Sequence, residues 1–361
     1  MMKNINIALL VYDISLTGGA ERVALNLAIE FSELYETHLI SLFDERRVCR
    51  NAYPFNIYVL SKQNVSITLN LASLSWKLRK YIQKNKINLL ISITAGVITV
   101  ANLAAAKTAL KVIYAEHSNL ENKTYGKKHQ FRQLIGAKFS DMIVALTNRD
   151  RDNFIKKYKI SEQKICTIPN WCTSNIEQNR AYNIDSKKII SVGRLEKVKG
   201  YNYLIEVAKK IYLTFPDWKW DIYGEGSLHE EIQRLINQNN LNSFIELKGN
   251  VRELSCLYKN YSIYVMTSLY EGLPMSLLEA QIAGLPIVSF DCPTGPSEII
   301  EDGVNGRIVE AYNVEKMANV LKNLMKNEVL RSEYASKTGI NLMKYDKRNV
   351  MKKWVELFEK L

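Results

Sequence analysis

Short apolar runs of strand length recur along the chain, and each is followed by a turn and then by apolar residues at helical spacing. Ile5–Val11 is the first run, and Val23, Leu27, Phe31 and Leu34 then mark one face of a helix over Ala20–Leu34. His38–Phe43 reads as a strand, Leu71–Ile82 as a helix and Leu89–Ile93 as a buried strand. A helix, the strand Lys111–Tyr114, a basic helical stretch and the strand Met142–Leu146 follow. Strands joined through helices run in the same direction, so this alternation predicts a parallel sheet covered by helices on both faces.

A second series opens after Pro169–Asp185, a stretch rich in Asn, Ser, Thr and Pro that reads as a linker. Its strands are Lys188–Val192, Lys219–Tyr223, Phe244–Leu247, Ile263–Met266, Pro286–Phe290 and Arg307–Val309, with helices between, the first over Tyr201–Leu213. The length of 361 residues fits two doubly wound, Rossmann-like α/β domains. The boundaries read as 1–172, a linker 173–186, 187–340, and a C-terminal helix 341–361 packing back on the first domain. In such sheets ligands lie beyond the carboxyl ends of the strands, and the cleft between two facing domains is the default site.

Ile87–Ala106 is uncharged and long enough to span a bilayer. Asn88, Ser92, Thr94, Gly96, Thr99 and Asn102 interrupt it, and it divides into the strand Leu89–Ile93, a glycine turn and a helix over Val97–Ala106. Cys49, Cys166, Cys172, Cys256 and Cys292 are odd in number and scattered, which suits thiols of a reduced compartment and neither a disulfide framework nor a zinc site.

The net charge of +12 is unevenly placed. Residues 1–172 carry 24 Lys and Arg against 13 Asp and Glu, whereas the rest is close to neutral, and no acid occurs from Arg46 to Ala115. One half is therefore expected to meet an anion. No helix-turn-helix, zinc-finger or aromatic-basic RNA motif accompanies this charge, so nucleic acid is not the expected partner.

Three segments carry the chemistry. Thr17-Gly18-Gly19-Ala20-Glu21-Arg22 follows the first strand, where glycines allow close backbone approach and the helix start offers amides to an anion. Gly193-Arg194-Leu195 with Lys199-Gly200 places two cations at a strand end, suited to a diphosphate. In Glu271-Gly272-Leu273-Pro274-Met275-Ser276-Leu277-Leu278-Glu279, Glu271 can reach ligand hydroxyls. A Gly272-Leu273-Pro274 turn follows it, Met275 and Ser276 offer helix-start amides to phosphate, and Glu279 can reach vicinal hydroxyls such as those of a ribose. Asp150-Arg151-Asp152 spells a metal-binding Asp-x-Asp, but it sits in the first turn of a predicted helix, where acids favour the dipole, and no metal site is assigned.

In their order and spacing, with Gly284-Leu285-Pro286-Ile287-Val288-Ser289 behind them, these segments resemble the family 4 glycosyltransferases of the GT-B type over almost the whole chain. The resemblance implies a nucleotide-sugar donor held mainly by the second domain, an acceptor held mainly by the first, and retention of anomeric configuration. It implies that Arg194 and Lys199 stabilise the leaving diphosphate, Glu271 binds donor sugar hydroxyls, Glu279 binds the ribose and Gly19 approaches the diphosphate. His117 matches a position where a histidine contacts the donor sugar, Asn250-Val251 one where backbone meets the base, and Gly224-Glu225-Gly226 a glycine-rich loop lining the cleft. Asp291-Cys292-Pro293-Thr294-Gly295-Pro296 resembles versions found in bacterial enzymes of surface-glycan synthesis.

The resemblance thus implies transfer of a hexose or N-acetylhexosamine from a UDP-sugar, without a metal or other cofactor, to a glycan or polyprenyl-diphosphate-linked acceptor. An epimerase or a glycogen-synthase-like enzyme of the same fold is the alternative, and the short first domain favours transfer to another acceptor. Lys77, Arg79, Lys80 and Lys84 with Trp76, and Lys127, Lys128 and Arg132, then read as a membrane and acceptor face. That places the chain in the cytoplasm, peripheral on the inner face of the cell membrane.

Overall fold

The structure is a computed structural model that describes residues 5–16, 19–44, 53–122, 125–172, 182–251 and 256–361. It divides into two compact units, Met1–Ile168 with Met351–Leu361, and Pro169–Val350.

The first unit runs β1 Asn6–Asp13, α1 Gly19–Ser32, β2 Glu36–Phe43, β3 Asn56–Val59, α2 Ile67–Lys84, β4 Leu89–Ile93, α3 Ile98–Ala105, β5 Lys111–Glu116, α4 Lys127–Phe139, β6 Met142–Ala145, α5 Asn148–Tyr158 and β7 Ile165–Thr167. All seven strands are parallel, in the order β3-β2-β1-β4-β5-β6-β7. The second unit runs β8 Lys188–Val192, α6 Tyr201–Ile211, β9 Lys219–Tyr223, α7 His229–Gln238, β10 Ile245–Gly249, β11 Ile263–Met266, α8 Met275–Ile282, β12 Ile287–Phe290, α9 Pro296–Ile299, β13 Gly306–Val309, α10 Val314–Lys326 and α11 Glu328–Lys337. Its six strands are also parallel, in the order β10-β9-β8-β11-β12-β13.

Central strands are covered on both faces, which is why their sequences are continuously apolar: all five residues of β4 and all four of β11 and of β12 are buried. The uncharged segment Ile87–Ala106 supplies β4 and α3, turned by Thr94 at φ 71°. Among the described residues no helix is long and apolar enough to cross a membrane. Each sheet has its own apolar core, with Leu10, Leu90, Val112 and Tyr114 in the first and Ile189, Trp220, Val265 and Val288 in the second.

Two features differ from the sequence reading. The short strands β3 and β7 at the two edges of the first sheet were not anticipated, because four half-exposed residues and three residues respectively give no readable alternation. The division between units falls after Ile168 and after Val350 rather than at 172 and 340. Long-range bonds explain the shift: Cys172 donates its N–H to the Tyr345 carbonyl at 3.3 Å, and Tyr345 donates its hydroxyl to the Glu298 carbonyl at 3.0 Å. Most of the expected linker, 173–181, lies outside the described residues.

The closing helix, α12 Lys347–Glu359, brings Trp354 and Phe358 edge-on to Phe31 of α1, with ring centroids 5.8 and 5.2 Å apart. Trp354 and Phe358 are both buried. Trp354→Ala is expected to cost about 3–5 kcal/mol of first-unit stability in urea titration; a loss below about 1 kcal/mol would show that α12 is not part of that core.

Candidate active site

Each parallel sheet reverses its strand order once, between β1 and β4 in the first unit and between β8 and β11 in the second. Strand-end loops diverge at such a reversal and leave room for a ligand. The cations and carboxylates singled out in the second half leave β8 and β11 at this place.

The loop after β8 begins at Gly193-Arg194 and is laced to the neighbouring loops. The Gly193 N–H donates to the Tyr223 carbonyl at 2.9 Å, and the Gly224 N–H to the Gly249 carbonyl at 2.8 Å. Gly224 lies at φ 137°, and a Cβ there would stand 2.0 Å from the Gly193 carbonyl oxygen. Only glycine lets the β8 and β9 exits approach this closely. Arg194 is exposed at the head of the loop, and Asn250 is exposed just past β10, with Val251 half-buried beside it.

Lys199 lies just before the helix expected from Tyr201. It closes a short 3-10 turn, Lys197–Lys199, and α6 starts only after Gly200 at φ 64°. The exit loop of β11 grips this turn: Leu269 N–H donates to the Val198 carbonyl at 2.8 Å, and the Thr267 hydroxyl to the Lys199 carbonyl at 3.2 Å. A Cβ at Gly200 would meet the Thr267 carbonyl oxygen at 2.2 Å. The two loops thus approach closely enough for Lys199 Nζ to pair with Glu271 Oε1 at 2.6 Å, with the side chains only 19% and 11% exposed.

Glu271 is fixed from further sides. The Ser268 hydroxyl donates to the same carboxylate oxygen at 2.6 Å, and the Thr294 hydroxyl donates to the Glu271 backbone carbonyl at 2.5 Å. Thr294 is fully buried and holds φ 63°, an uncommon value for a β-branched residue, so the segment Asp291–Pro296 braces the Glu271 loop under backbone strain. These bracing residues were not among the predicted site. Ser268 lies three residues before Glu271, a Ser-x-x-Glu spacing that was available in the sequence, whereas Thr294 carries no local signal.

Gly272, Leu273 and Pro274 lead into α8, whose start has no side-chain cap. Leu277 and Leu278 donate to the Pro274 carbonyl, which leaves the amides of Met275 and Ser276 at the helix mouth. The side chains of Leu273 and Ser276 serve the interior: Leu273 is buried, and the Ser276 hydroxyl bonds the Tyr264 hydroxyl at 2.8 Å and donates to the Val192 carbonyl at 3.3 Å. One turn along, Glu279 Oε2 accepts the Tyr258 hydroxyl at 3.3 Å.

In the first unit, Gly19 opens α1 beyond β1, and a Cβ there would meet nothing within 4 Å, so local packing does not demand a glycine. Gly18 lies outside the described residues. His117 follows β5 at the same edge of the sheet. Burial pushes its imidazole down to about 4, so the ring is neutral at pH 7, and among the described residues none hydrogen-bonds it. Asp150 of the Asp-x-Asp lookalike is buried, accepts the Leu120 N–H at 3.4 Å and shares a cap with Thr147, where its N–H donates to the Thr147 hydroxyl at 3.1 Å.

The basic face is partly structural. Arg79 does not present a free guanidinium: it donates to the carbonyls of Ala104, Leu103 and Ala106 at 2.8, 3.2 and 2.6 Å, closing the C-terminus of α3. Lys77 donates to the Leu60 carbonyl at 3.3 Å, and Lys80 lies over the Trp76 ring at 4.0 Å. Lys84, Lys127 and Lys128 are exposed and Arg132 half-exposed. Lys127, Lys128 and Arg132 line a hollow of about 330 Å³ with Ile67, Leu71 and Phe131.

The family model described as Glycosyltransferase Family 4 matches residues 17–173, and that described as Glycosyl transferases group 1 matches residues 174–341. The chain is 27% identical to the amylovoran biosynthesis glycosyltransferase AmsD of Erwinia amylovora, covering 97% of this chain and 98% of that one. It is 31% identical to the poly(ribitol-phosphate) alpha-N-acetylglucosaminyltransferase of Staphylococcus aureus over 80% of this chain and 59% of that protein. The structure of Anabaena HepE in complex with UDP-glucose superposes with a TM-score of 0.85 at 17% identity, covering 99% and 100% of the two chains.

Removing one member of the Lys199–Glu271 pair strands the other charge in a site with little water. Lys199→Met and Glu271→Gln are each expected to destabilise the second unit, and the double variant to recover part of the loss. A coupling of about 0.5–3 kcal/mol in urea titrations is expected; additive losses would mean that solvent screens the pair.

Proposed function

We propose that this chain, which belongs to the glycosyltransferases joining a Family 4 half to a group 1 half, transfers a hexose or N-acetylhexosamine from a UDP-sugar to a bacterial cell-surface glycan with retention of configuration. One observation carries the reading: Arg194, the Lys199–Glu271 pair and the uncapped start of α8 leave the two strands between which the second sheet reverses. The names of the Staphylococcus and Erwinia relatives support a surface-glycan acceptor, and the HepE complex supports a UDP-sugar donor.

The chemistry follows from charge. As the bond between C1 and the diphosphate oxygen breaks, negative charge grows on the diphosphate. Arg194, Lys199 and the amides of Met275 and Ser276 offset that charge, and fixed donors of this kind need no reorganisation during the step. Lys199 has three N–H donors, so its bond to Glu271 leaves others for phosphate oxygens. Glu271, oriented by Ser268 and Thr294, accepts donor sugar hydroxyls, and Glu279, steadied by Tyr258, accepts those of the ribose. Backbone at Gly224 and Asn250-Val251 borders the nucleotide, and the open space over Gly19 admits a phosphate. The neutral His117 ring bonds a donor sugar hydroxyl. The acceptor hydroxyl attacks C1 from the face the diphosphate leaves and passes its proton to the departing phosphate oxygen. A glycoside and UDP result, with side-chain cations in the role a divalent metal fills elsewhere.

Arg194→Ala, at an exposed position, is expected to lower turnover about 10²–10³-fold with an unchanged melting temperature. The matching UDP-sugar at 100 times its dissociation constant should stabilise the wild-type chain by about 2.7 kcal/mol. Chelators should leave activity intact, and the product anomer should match the donor by NMR. Near-normal turnover of the variant, or an inverted product, would sink this assignment.

The finer reading concerns the acceptor. Lys127 and Lys128 occupy the first turn of α4, a turn without acids, where the helix end is already positive. Two lysines there are unfavourable unless an anion faces them. Phe131 at 60%, Leu69 at 86% and Trp76 at 57% exposure stand on the same helices, α4 and α2. This combination suits an anionic, lipid-linked acceptor such as a polyprenyl diphosphate at an anionic membrane surface. Flotation with vesicles should recover the chain with anionic but not neutral lipid, and Lys127→Glu/Lys128→Glu should abolish recovery. Equal recovery with both lipids contradicts the reading.

A further inference from the structure

We infer that Glu116 is a positioning residue for His117, folding the chain after β5 so that the imidazole is held toward the donor sugar; this rests on the reading of His117 given above. Glu116 ends β5 and is buried. Its Oε1 accepts both the N–H of Ser118 at 2.9 Å and the hydroxyl of Ser118 at 2.7 Å. His117 is the single residue spanned by this double bond, so the backbone turns back around it.

The other carboxylate oxygen is held from behind. Oε2 accepts the Tyr114 hydroxyl and, at 3.4 Å, the Gln133 amide, while Gln133 in turn accepts the Tyr158 hydroxyl at 3.3 Å. The braces therefore come from β5, α4 and α5 together. Ser118 Oγ also lies 3.4 Å from His129 Nε2, and the His129 ring stacks on Tyr125 at 4.1 Å. The far end of the loop is pinned as well. The Leu120 N–H reaches Asp150 at 3.4 Å, the Glu121 N–H reaches Asn119 Oδ1 at 2.7 Å, and Asn153 donates to Glu121 at 2.6 Å.

Among the described residues, the polar side chains of this loop named above are bound to protein and the His117 ring is not. A rigid frame around one unpartnered imidazole is the arrangement expected for a group whose partner is a ligand. The titratable groups facing Glu116 are Tyr114 on β5, His129 on α4 and Tyr158 on α5, and the cations Arg132 and Lys157 also act on His129. For half-buried His117 the depressed basicity arises from desolvation by the surrounding protein, so release of the turn toward solvent is visible in its titration.

The experiment compares Glu116→Gln and Ser118→Ala with His117→Ala and with the corresponding double variants, in turnover with a UDP-sugar and in NMR titration of the His117 ring. Glu116→Gln keeps the volume and removes one acceptor. Ser118→Ala removes one of the two donors, and gives the same reading if Glu116→Gln does not fold. Each is expected to lower kcat about 10–100-fold, the size of effect that misplacing a reacting contact produces, with donor KM changed less than about twofold. In the His117→Ala background neither should lower kcat further, and in Glu116→Gln the His117 titration should move from about 4 toward 6.5 while the far-UV circular dichroism stays that of the folded chain. Additive losses in the double variants, or an unmoved His117 titration in both single variants, would overturn the inference. Full turnover of His117→Ala would remove the donor-contact reading of His117 itself, and the ring titration would still decide whether Glu116 holds the turn.

Discussion

The pairing of β8 with β11 decides where the second sheet reverses its strand order, and Arg194, Lys199 and Glu271 hang from the loops that leave those two strands. Parallel strands must be joined by crossovers, so the exits of β8 and β11 arise from chain segments about seventy residues apart and meet only in the folded sheet. Their contact centres on backbone: the Leu269 N–H and the Thr267 hydroxyl donate to the Val198 and Lys199 carbonyls, and Gly200 takes φ 64° beneath the Thr267 carbonyl. Without that approach the side chains of Lys199 and Glu271 would not reach one another. The pair is thus a consequence of topology, and the loop behind it, strained at Thr294, keeps the carboxylate in place.

Much of this frame was legible in the sequence because it is encoded locally. Strand ends, the Arg194-to-Lys199 spacing and the eight-residue step from Glu271 to Glu279 are properties of short windows. What escaped depends on contacts between distant windows. Arg79 reads as one more cation of a basic helix, and only the neighbouring end of α3 turns it into a cap. Ser276 reads as a helix-start donor, while its hydroxyl is tied to Tyr264 and Val192. Residues 341–350 read as part of a returning helix, and Tyr345 fastens that stretch to the second unit through Glu298. The edge strands β3 and β7 are too short to show a period.

The charge distribution also separates into two tasks. In the half of the chain that is close to neutral, Lys199 is largely buried beside Glu271 and Arg194 is exposed at the head of its loop. The basic half carries many cations, of which Lys80, Lys84, Lys127 and Lys128 are exposed, on the two helices that also expose Trp76 and Phe131. His117 belongs to neither set. It is neutral at pH 7, half-buried, and follows directly on the carboxylate network of Glu116.

The most direct test of this account is a crystal structure of the chain with UDP. The diphosphate is predicted within hydrogen-bond distance of the Arg194 guanidinium, Lys199 Nζ and the amides at the start of α8, with the ribose hydroxyls on Glu279. UDP bound at another edge of either sheet, or a diphosphate contacting none of these groups, would contradict it.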